Sequence, residues 1–290
     1  MRSGKIDYTP VIIIGAPRSG TNMLRDVLCG LPGVGTWPCD EINYIWRHGN
    51  VAYPSDAFPA ELATKSVSMF IRGKFESLAK ARNLNFVVEK TCANSLRVPF
   101  VDRILPEAKY VYIIRDGVDA VASAMKRWQA SLDLAYILRK ARFVPLSDLP
   151  YYAMRYVGNR IYRLISSEKR LAFWGPRLDN MEKVVTGLAL SEICAVQWKE
   201  CVSKADQAFN SISPQKVFKL YYESFVKDPK KLFPELCHFL GIYHSTDSWT
   251  PLIDNISSSS VGKGHRSLDA SEKARIYPII GDLLRRHGYS

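Results

Sequence analysis

Val11-Ile12-Ile13-Ile14-Gly15-Ala16-Pro17-Arg18-Ser19-Gly20-Thr21-Asn22 decides the fold. Its first four residues are β-branched without interruption, the composition of a strand buried on both faces. Gly15 and Gly20 permit a tight turn, and the run from Asn22 to Leu28 opens a helix. Strand, glycine turn and helix start together make an anion site, because backbone N–H groups converge there and the helix dipole favours negative charge. The Gly-x4-Gly spacing is that of a nucleotide-triphosphate loop, yet no lysine follows Gly20. Thr21 stands there instead, and the loop's cation is Arg18. The pattern implies a phosphate site and argues against an ordinary ATP or GTP hydrolase.

A second apolar run, Tyr110 to Ile114, ends at Arg115-Asp116-Gly117. Ser123 and Arg127 follow on an expected helix, four residues apart and therefore on one face. An arginine at a strand end converges with such a pair on a single phosphate. Its planar fork donates two hydrogen bonds at once.

On these residues the chain resembles the sulfotransferases that use 3′-phosphoadenosine-5′-phosphosulfate (PAPS). Pro17-Arg18-Ser19-Gly20-Thr21-Asn22 is similar to the family's Pro-Arg-Ser-Gly-Thr-Thr loop, which cradles the 5′-phosphosulfate. Asn22 replaces the second Thr but keeps a donor amide. Arg115 with Ser123 is similar to the pair that holds the 3′-phosphate, and Arg127 is a further cation on that side. The resemblance extends to Tyr221-Tyr222-Glu223 and Val261-Gly262-Lys263. It implies an α/β fold, a central parallel sheet flanked by helices, with PAPS as donor, PAP as product and no metal. It also implies that Tyr222 contacts the adenine and that Lys263 reaches the 3′-phosphate side. Gly264 stands where many relatives carry Trp, which makes Arg266 the substitute contact.

Sulfuryl transfer needs cations where charge builds on the leaving and equatorial oxygens, and a base for the acceptor's proton. Arg18 is the first cation. Lys90 is the second, in Glu89-Lys90-Thr91, which is similar to the family's Lys-Thr/Asp-Pro segment with Cys92 in place of Pro. In tyrosylprotein and many bacterial members a Glu in the loop after the first helix acts as base, and Glu41 matches that place. Asp40, one residue away, is expected at the acceptor. His48 is the alternative base, histidine serving the steroid and phenol branch.

The chain has 290 residues, a formal charge of +12 and 47% hydrophobic residues. One domain, 1–290, is expected, with 130–187 as an insertion that shapes the acceptor site. That segment breaks the α/β rhythm and is rich in aromatic and basic residues. Trp174 and Trp198 are expected to bind the acceptor, a carbohydrate or small metabolite offering a hydroxyl or an amine. The positive charge calls for anionic partners. The basic residues are dispersed and no nucleic-acid motif accompanies them, which argues against nucleic acid. The densest cluster, Arg155, Arg160, Arg163, Lys169 and Arg170, reads as a solvated helix face or a surface for an acidic acceptor. No apolar run reaches the ~20 residues of a membrane span. Met1 to Pro10 is polar and lacks a signal-peptide core. A cytoplasmic, bacterial-type enzyme is expected, with a trimmed luminal domain as the alternative. The six cysteines form no Cys-x2-Cys pair, which argues against zinc, and a reduced chain is expected.

Two other classes are weighed against this reading. A small-molecule kinase on a related phosphate-loop fold calls for a lysine after Gly20 and a metal-binding Asp ending a strand, where Arg115 stands. A non-catalytic binder of acidic polymers would tolerate the loss of Glu41 and Lys90.

The remaining elements follow from periodicity and punctuation. Helices are expected over 60–82, 95–104, 117–128 and 188–211, and strands over 86–88, 109–114 and 216–222. Asp228-Pro229 opens a helix that ends at Gly241. Residues 255–268 read as a polar loop, and a last helix follows Asp269, with Glu272 at capping-box spacing.

Overall fold

The computed structural model describes residues 8–129, 143–154, 157, 174–243 and 245–289. Five strands form one sheet: β1 (Thr9–Ile14), β2 (Val34–Gly35), β3 (Phe86–Lys90), β4 (Lys109–Ile114) and β5 (Val217–Tyr221). Their order is β2-β3-β1-β4-β5, and every pairing is parallel.

The uninterrupted apolar run of β1 has a plain cause. Side chains alternate between the two faces of a strand, and both faces here are covered. Val11 and Ile13 point to one side, where α1 (Thr21–Cys29), α8 (Tyr222–Lys227) and α9 (Pro229–Leu240) supply Leu24, Leu28, Phe225, Phe233 and Leu236. Ile12 and Ile14 point to the other side, toward Val67, Ile71 and Phe75 of α3 (Lys65–Arg82) and Val98 and Val101 of α4 (Val98–Ile104). Burying each such side chain contributes about 1.5–3 kcal/mol. A third cluster joins α5 (Gly117–Gln129), α7 (Leu190–Phe209) and α12 (Ala270–Arg286) around Trp128, Ile193 and Ile280.

The remaining helices are short: α2 (Asn43–Arg47), α6 (Met181–Gly187), α10 (Thr246–Ile253) and α11 (Lys263–Ser267). Helix ends obey local chemistry. The Asp228 side chain accepts from Lys231 N at 3.2 Å, and Gly241 closes α9 with φ 79°. Asp269 and Glu272 form the expected capping box.

Three expectations need correction. β5 stops at Tyr221, so Tyr222 opens a helix instead of ending a strand. The stretch 255–268 is not wholly loop, since it contains α11, which starts from the left-handed Gly262. Helix α10 was not expected at all, its single turn-breaking Pro251 lying inside it. Much of 130–187 lies outside the described residues, including the basic cluster Arg155, Arg160, Arg163, Lys169 and Arg170. No helix among the described residues is long and apolar enough to cross a membrane. All six cysteines are free thiols.

The chain leaves β1 toward β2 at one edge and later returns to β4 on the other side. Ligands in such sheets bind beyond the carboxyl ends of the strands at this reversal. The register places four candidate residues there. Ile13 lies beside Lys90, Ile14 beside Tyr112 and Ile114 beside Tyr221. Gly15, Lys90, Arg115 and Tyr222 therefore emerge from adjacent strand ends.

Candidate active site

The loop after β1 is shaped by two residues in the left-handed region, Arg18 at φ 70° and Gly20 at φ 86°. Gly20 is required by space as well as by conformation. A Cβ there would lie 2.4 Å from the Tyr222 ring. The strained Arg18 backbone turns its carbonyl toward Arg115, whose guanidinium donates to it at 3.0 Å. The Arg18 side chain donates through Nε to Ser123 Oγ at 2.9 Å. Burial, then the nearby Arg127 and Arg115, hold its pKa below the ordinary arginine value. Three guanidinium groups thus share one small region, an arrangement suited to an anion.

Arg115 is buried and fixed from several sides. It donates to Ser260 O at 2.8 Å and lies 3.4 Å from Asp119, and its guanidinium covers the Tyr222 ring at 4.5 Å. The Tyr222 hydroxyl bonds Ser260 Oγ at 2.5 Å. Two buried donors here, Ser19 Oγ and Arg115 Nε, have no hydrogen-bond partner among the described residues. A buried unpartnered donor is costly, so both fit a site built for phosphate oxygens.

Lys90 lies on the other side of the loop. Its side chain is only 2% exposed, and Nζ donates to Glu41 Oε1 at 3.1 Å and Asp40 Oδ1 at 3.3 Å. Burial alone would lower its pKa, but Glu41, with Cys92 and Asp40 nearby, outweighs burial and holds it above the ordinary 10.5. Glu41 also accepts from the backbone N–H of Cys92 at 3.3 Å. Thr21 Oγ1 meets Cys92 Sγ at 3.8 Å, so this cluster adjoins the phosphate loop.

The structure therefore brings together Pro17 to Asn22, Arg115, Ser123 and Tyr222 on one side, and Lys90, Asp40 and Glu41 on the other. Lys263 and Arg266 lie exposed on α11, and Arg266 donates to Val261 O at 3.2 Å. Arg127 is exposed on α5, one turn beyond Ser123. His48 is held elsewhere, bonded to Asp148 at 3.0 Å and stacked on Phe70. Trp198, expected at the acceptor, is 2% exposed and packs against Gly117. Trp174 packs on the same core, and its carbonyl accepts from Gln197 at 2.8 Å.

Several contributors escaped sequence reasoning. Arg25, one turn after Thr21 on α1, donates to Asp40 Oδ1 at 3.0 Å and to its carbonyl at 3.1 Å. Asp119, buried, accepts from Gly262 N at 2.7 Å and Gly264 N at 2.6 Å, and so staples the C-terminal segment to α5. Its place four residues after Arg115 was the available signal. Gly264 is explained by the same contact, because a Cβ there would stand 2.5 Å from Val118 O. Beneath the site, Asp56 lies between Arg47 at 2.8 Å and Arg97 at 3.5 Å and accepts from Arg177 N at 2.8 Å. This buried network ties the 43–58 segment to the chain around Arg177. Among the described residues, no cluster of three or more His, Cys, Asp or Glu side chains suits a metal ion.

No curated protein matches the sequence. Solved structures do match in shape. A sulfotransferase domain from the curacin biosynthetic pathway aligns with a TM-score of 0.57 at 13% identity, covering 98% of each chain. The sulfotransferase domain of the Synechococcus PCC 7002 olefin synthase aligns with a TM-score of 0.52 at 16% identity, covering 98% of this chain and 97% of that one. A mouse sulfotransferase in complex with PAP aligns with a TM-score of 0.50 at 14% identity, covering 98% of this chain and 91% of that one. At these identities the likeness shows a shared fold. Residues 10–157, about half of the chain, match the profile of the Sulfotransferase family, a span that holds the phosphate loop, Glu41, Lys90 and Arg115. By that match the chain belongs to the Sulfotransferase family, whose common chemistry is sulfuryl transfer.

Proposed function

We propose that the chain transfers the sulfuryl group of PAPS to a hydroxyl or amine of a carbohydrate or small metabolite, with Glu41 as base. The observation that carries this reading is the Glu41–Lys90 pair, 3.1 Å apart and adjoining the phosphate loop through Cys92 and Thr21. A base and a cation side by side serve the two needs of the reaction at one point. The PAP complex of the mouse relative supports PAPS as donor.

In this reading the loop Pro17 to Asn22 receives the 5′-phosphosulfate, and Arg18 and Lys90 face the transferred group. Arg115, Ser123 and Arg127 take the 3′-phosphate, with Lys263 and Arg266 at its open side. Tyr222 stands under Arg115 and against Gly20, so it supports both phosphate contacts at the adenine end. The acceptor's proton passes to Glu41 as its oxygen or nitrogen bonds to sulfur. The bond from sulfur to the phosphate oxygen breaks, and PAP leaves with that electron pair. Lys90 and Arg18 offset the charge arising there. Asp40, held by Arg25 and Lys90, borders the acceptor side. We assign 1–290 to one sulfotransferase domain, with 130–187 carrying the acceptor contacts.

The test is incubation with sulfur-labelled PAPS and fractionated cell extract, followed by identification of the labelled product. Glu41→Gln should abolish labelling by a factor of about 10²–10⁴ while PAP affinity stays within a few-fold. Full labelling by Glu41→Gln, with loss in His48→Ala, would transfer the base to histidine.

A further inference from the structure

We propose that the backbone N–H of residue 92 is a positioning group for Glu41, available in this chain because position 92 is cysteine and not proline. The proposal rests on Glu41 being the base.

Three consecutive residues grip the loop that carries Glu41, each by a different group. Lys90 donates its ammonium to Glu41 Oε1 at 3.1 Å. Thr91 Oγ1 accepts from Ile42 N at 3.2 Å, its own proton being directed to Glu89 Oε1 at 2.5 Å. Cys92 donates its backbone N–H to the same Glu41 Oε1 at 3.3 Å. The first and third converge on a single carboxylate oxygen from two directions. An ion pair alone lets a carboxylate pivot about a flexible ammonium. A second donor fixed in the backbone removes that freedom and sets the plane of the carboxylate.

The N–H also has an electrostatic effect. A donor aimed at a carboxylate favours its charged form, so Glu41 keeps its base form to lower pH than the lysine alone would hold it. The N–H acts beside the thiol, which also hydrogen-bonds Glu41 and whose pKa burial, then Glu41, push upward, away from reactivity.

Relative to alanine, which already removes the thiol and its contacts to Glu41 and Thr21, proline at this position would delete the N–H and little else. Thr91 is already extended, at φ −128° and ψ 114°, as a residue before proline must be. Cys92 is the first residue of a short 3-10 turn, Cys92–Leu96, where proline is well accommodated.

The experiment compares Cys92→Pro with Cys92→Ala, both of which lose the thiol while only the first loses the N–H. The expected result is a kcat about five- to tenfold lower in Cys92→Pro than in Cys92→Ala, with PAP affinity and the KM for PAPS within about twofold. The acid limb of the kcat profile should move to higher pH in Cys92→Pro, because a carboxylate held by one donor fewer protonates earlier. In a Glu41→Gln background the two substitutions should become equivalent, as a coupled pair requires. Equal kcat and superimposed pH profiles with Glu41 intact would overturn the inference. Near-full activity of Glu41→Gln would instead overturn the base assignment, so the two failures are distinct. Should Cys92→Pro not fold, an amide-to-ester exchange at residue 92, made by nonsense suppression with an α-hydroxy acid, removes the same N–H. The same three readouts then decide.

Discussion

Glu89 should make the protein less stable as pH rises from about 4.5 to about 7. It is 1% exposed, with Asn94 Nδ2 at 2.8 Å and Thr91 Oγ1 at 2.5 Å as its donors. Burial raises its pKa from 4.5 to about 7, and Glu41 adds to the rise, while the Thr91 hydrogen bond and Arg97 oppose it. Between those two values the native state holds a proton that the unfolded chain has lost. Stability then falls with rising pH and levels off, for this group, above the folded value. At 1.36 kcal/mol per pH unit, the change between about pH 5 and 8 comes to roughly 2–3 kcal/mol. The assay is urea unfolding of the wild type and Glu89→Gln across that range. Glutamine adds a constant offset, since Asn94 is fixed by Arg97 Nε at 2.8 Å and cannot reorient freely. The difference between the two proteins is therefore the measure. It should drift by about 2–3 kcal/mol in favour of the variant as pH rises. A difference that stays constant with pH would refute the buried, proton-holding carboxyl.

Other consequences are open to measurement. Arg115→Ala and Ser123→Ala should each weaken PAP by about 1.5–3 kcal/mol, one to two decades, and weaken adenosine 5′-phosphosulfate less, as calorimetry would show. Equal losses for both nucleotides would remove the pair from the 3′-phosphate. Asp56→Ala leaves Arg47 and Arg97 buried without their carboxylate and should cost about 3–5 kcal/mol in denaturant unfolding, a loss under 1 kcal/mol contradicting the network. Gly264→Ala should cost about 1–3 kcal/mol, since its Cβ meets the α5 backbone; an unchanged Tm would show that α11 can lift away from α5 without cost.

The sheet was legible because β1 and β4 are buried on both faces, which writes them as continuous apolar runs next to glycine turns. The phosphate loop was legible for a related reason: Gly20 sits where Tyr222 leaves no room for a Cβ. Helices α10 and α11 were not legible. Proline, serine and glycine in those stretches signal loops locally, and packing on α5 and α9 overrides that signal. The role of Trp198 was not legible, because an aromatic residue reads alike in a core and in a pocket. Asp119 and Arg25 were missed because their partners, Gly262, Gly264 and Asp40, are distant in sequence or carry no motif.

The staple from Asp119 to Gly262 and Gly264, with Arg115 reaching Ser260, bears on the birth of the enzyme. A ribosome delivers these partners more than 200 residues after the phosphate loop. While those residues are made, Arg115 waits without Ser260, and Asp119 is a carboxylate without its amides. The parallel strands likewise pair only after long intervening chain has emerged, which makes such sheets slow to assemble. The clasp therefore forms well after the phosphate loop has emerged, and a nascent fragment that has every sequence motif up to Arg115 still lacks the contacts that hold that arginine in place.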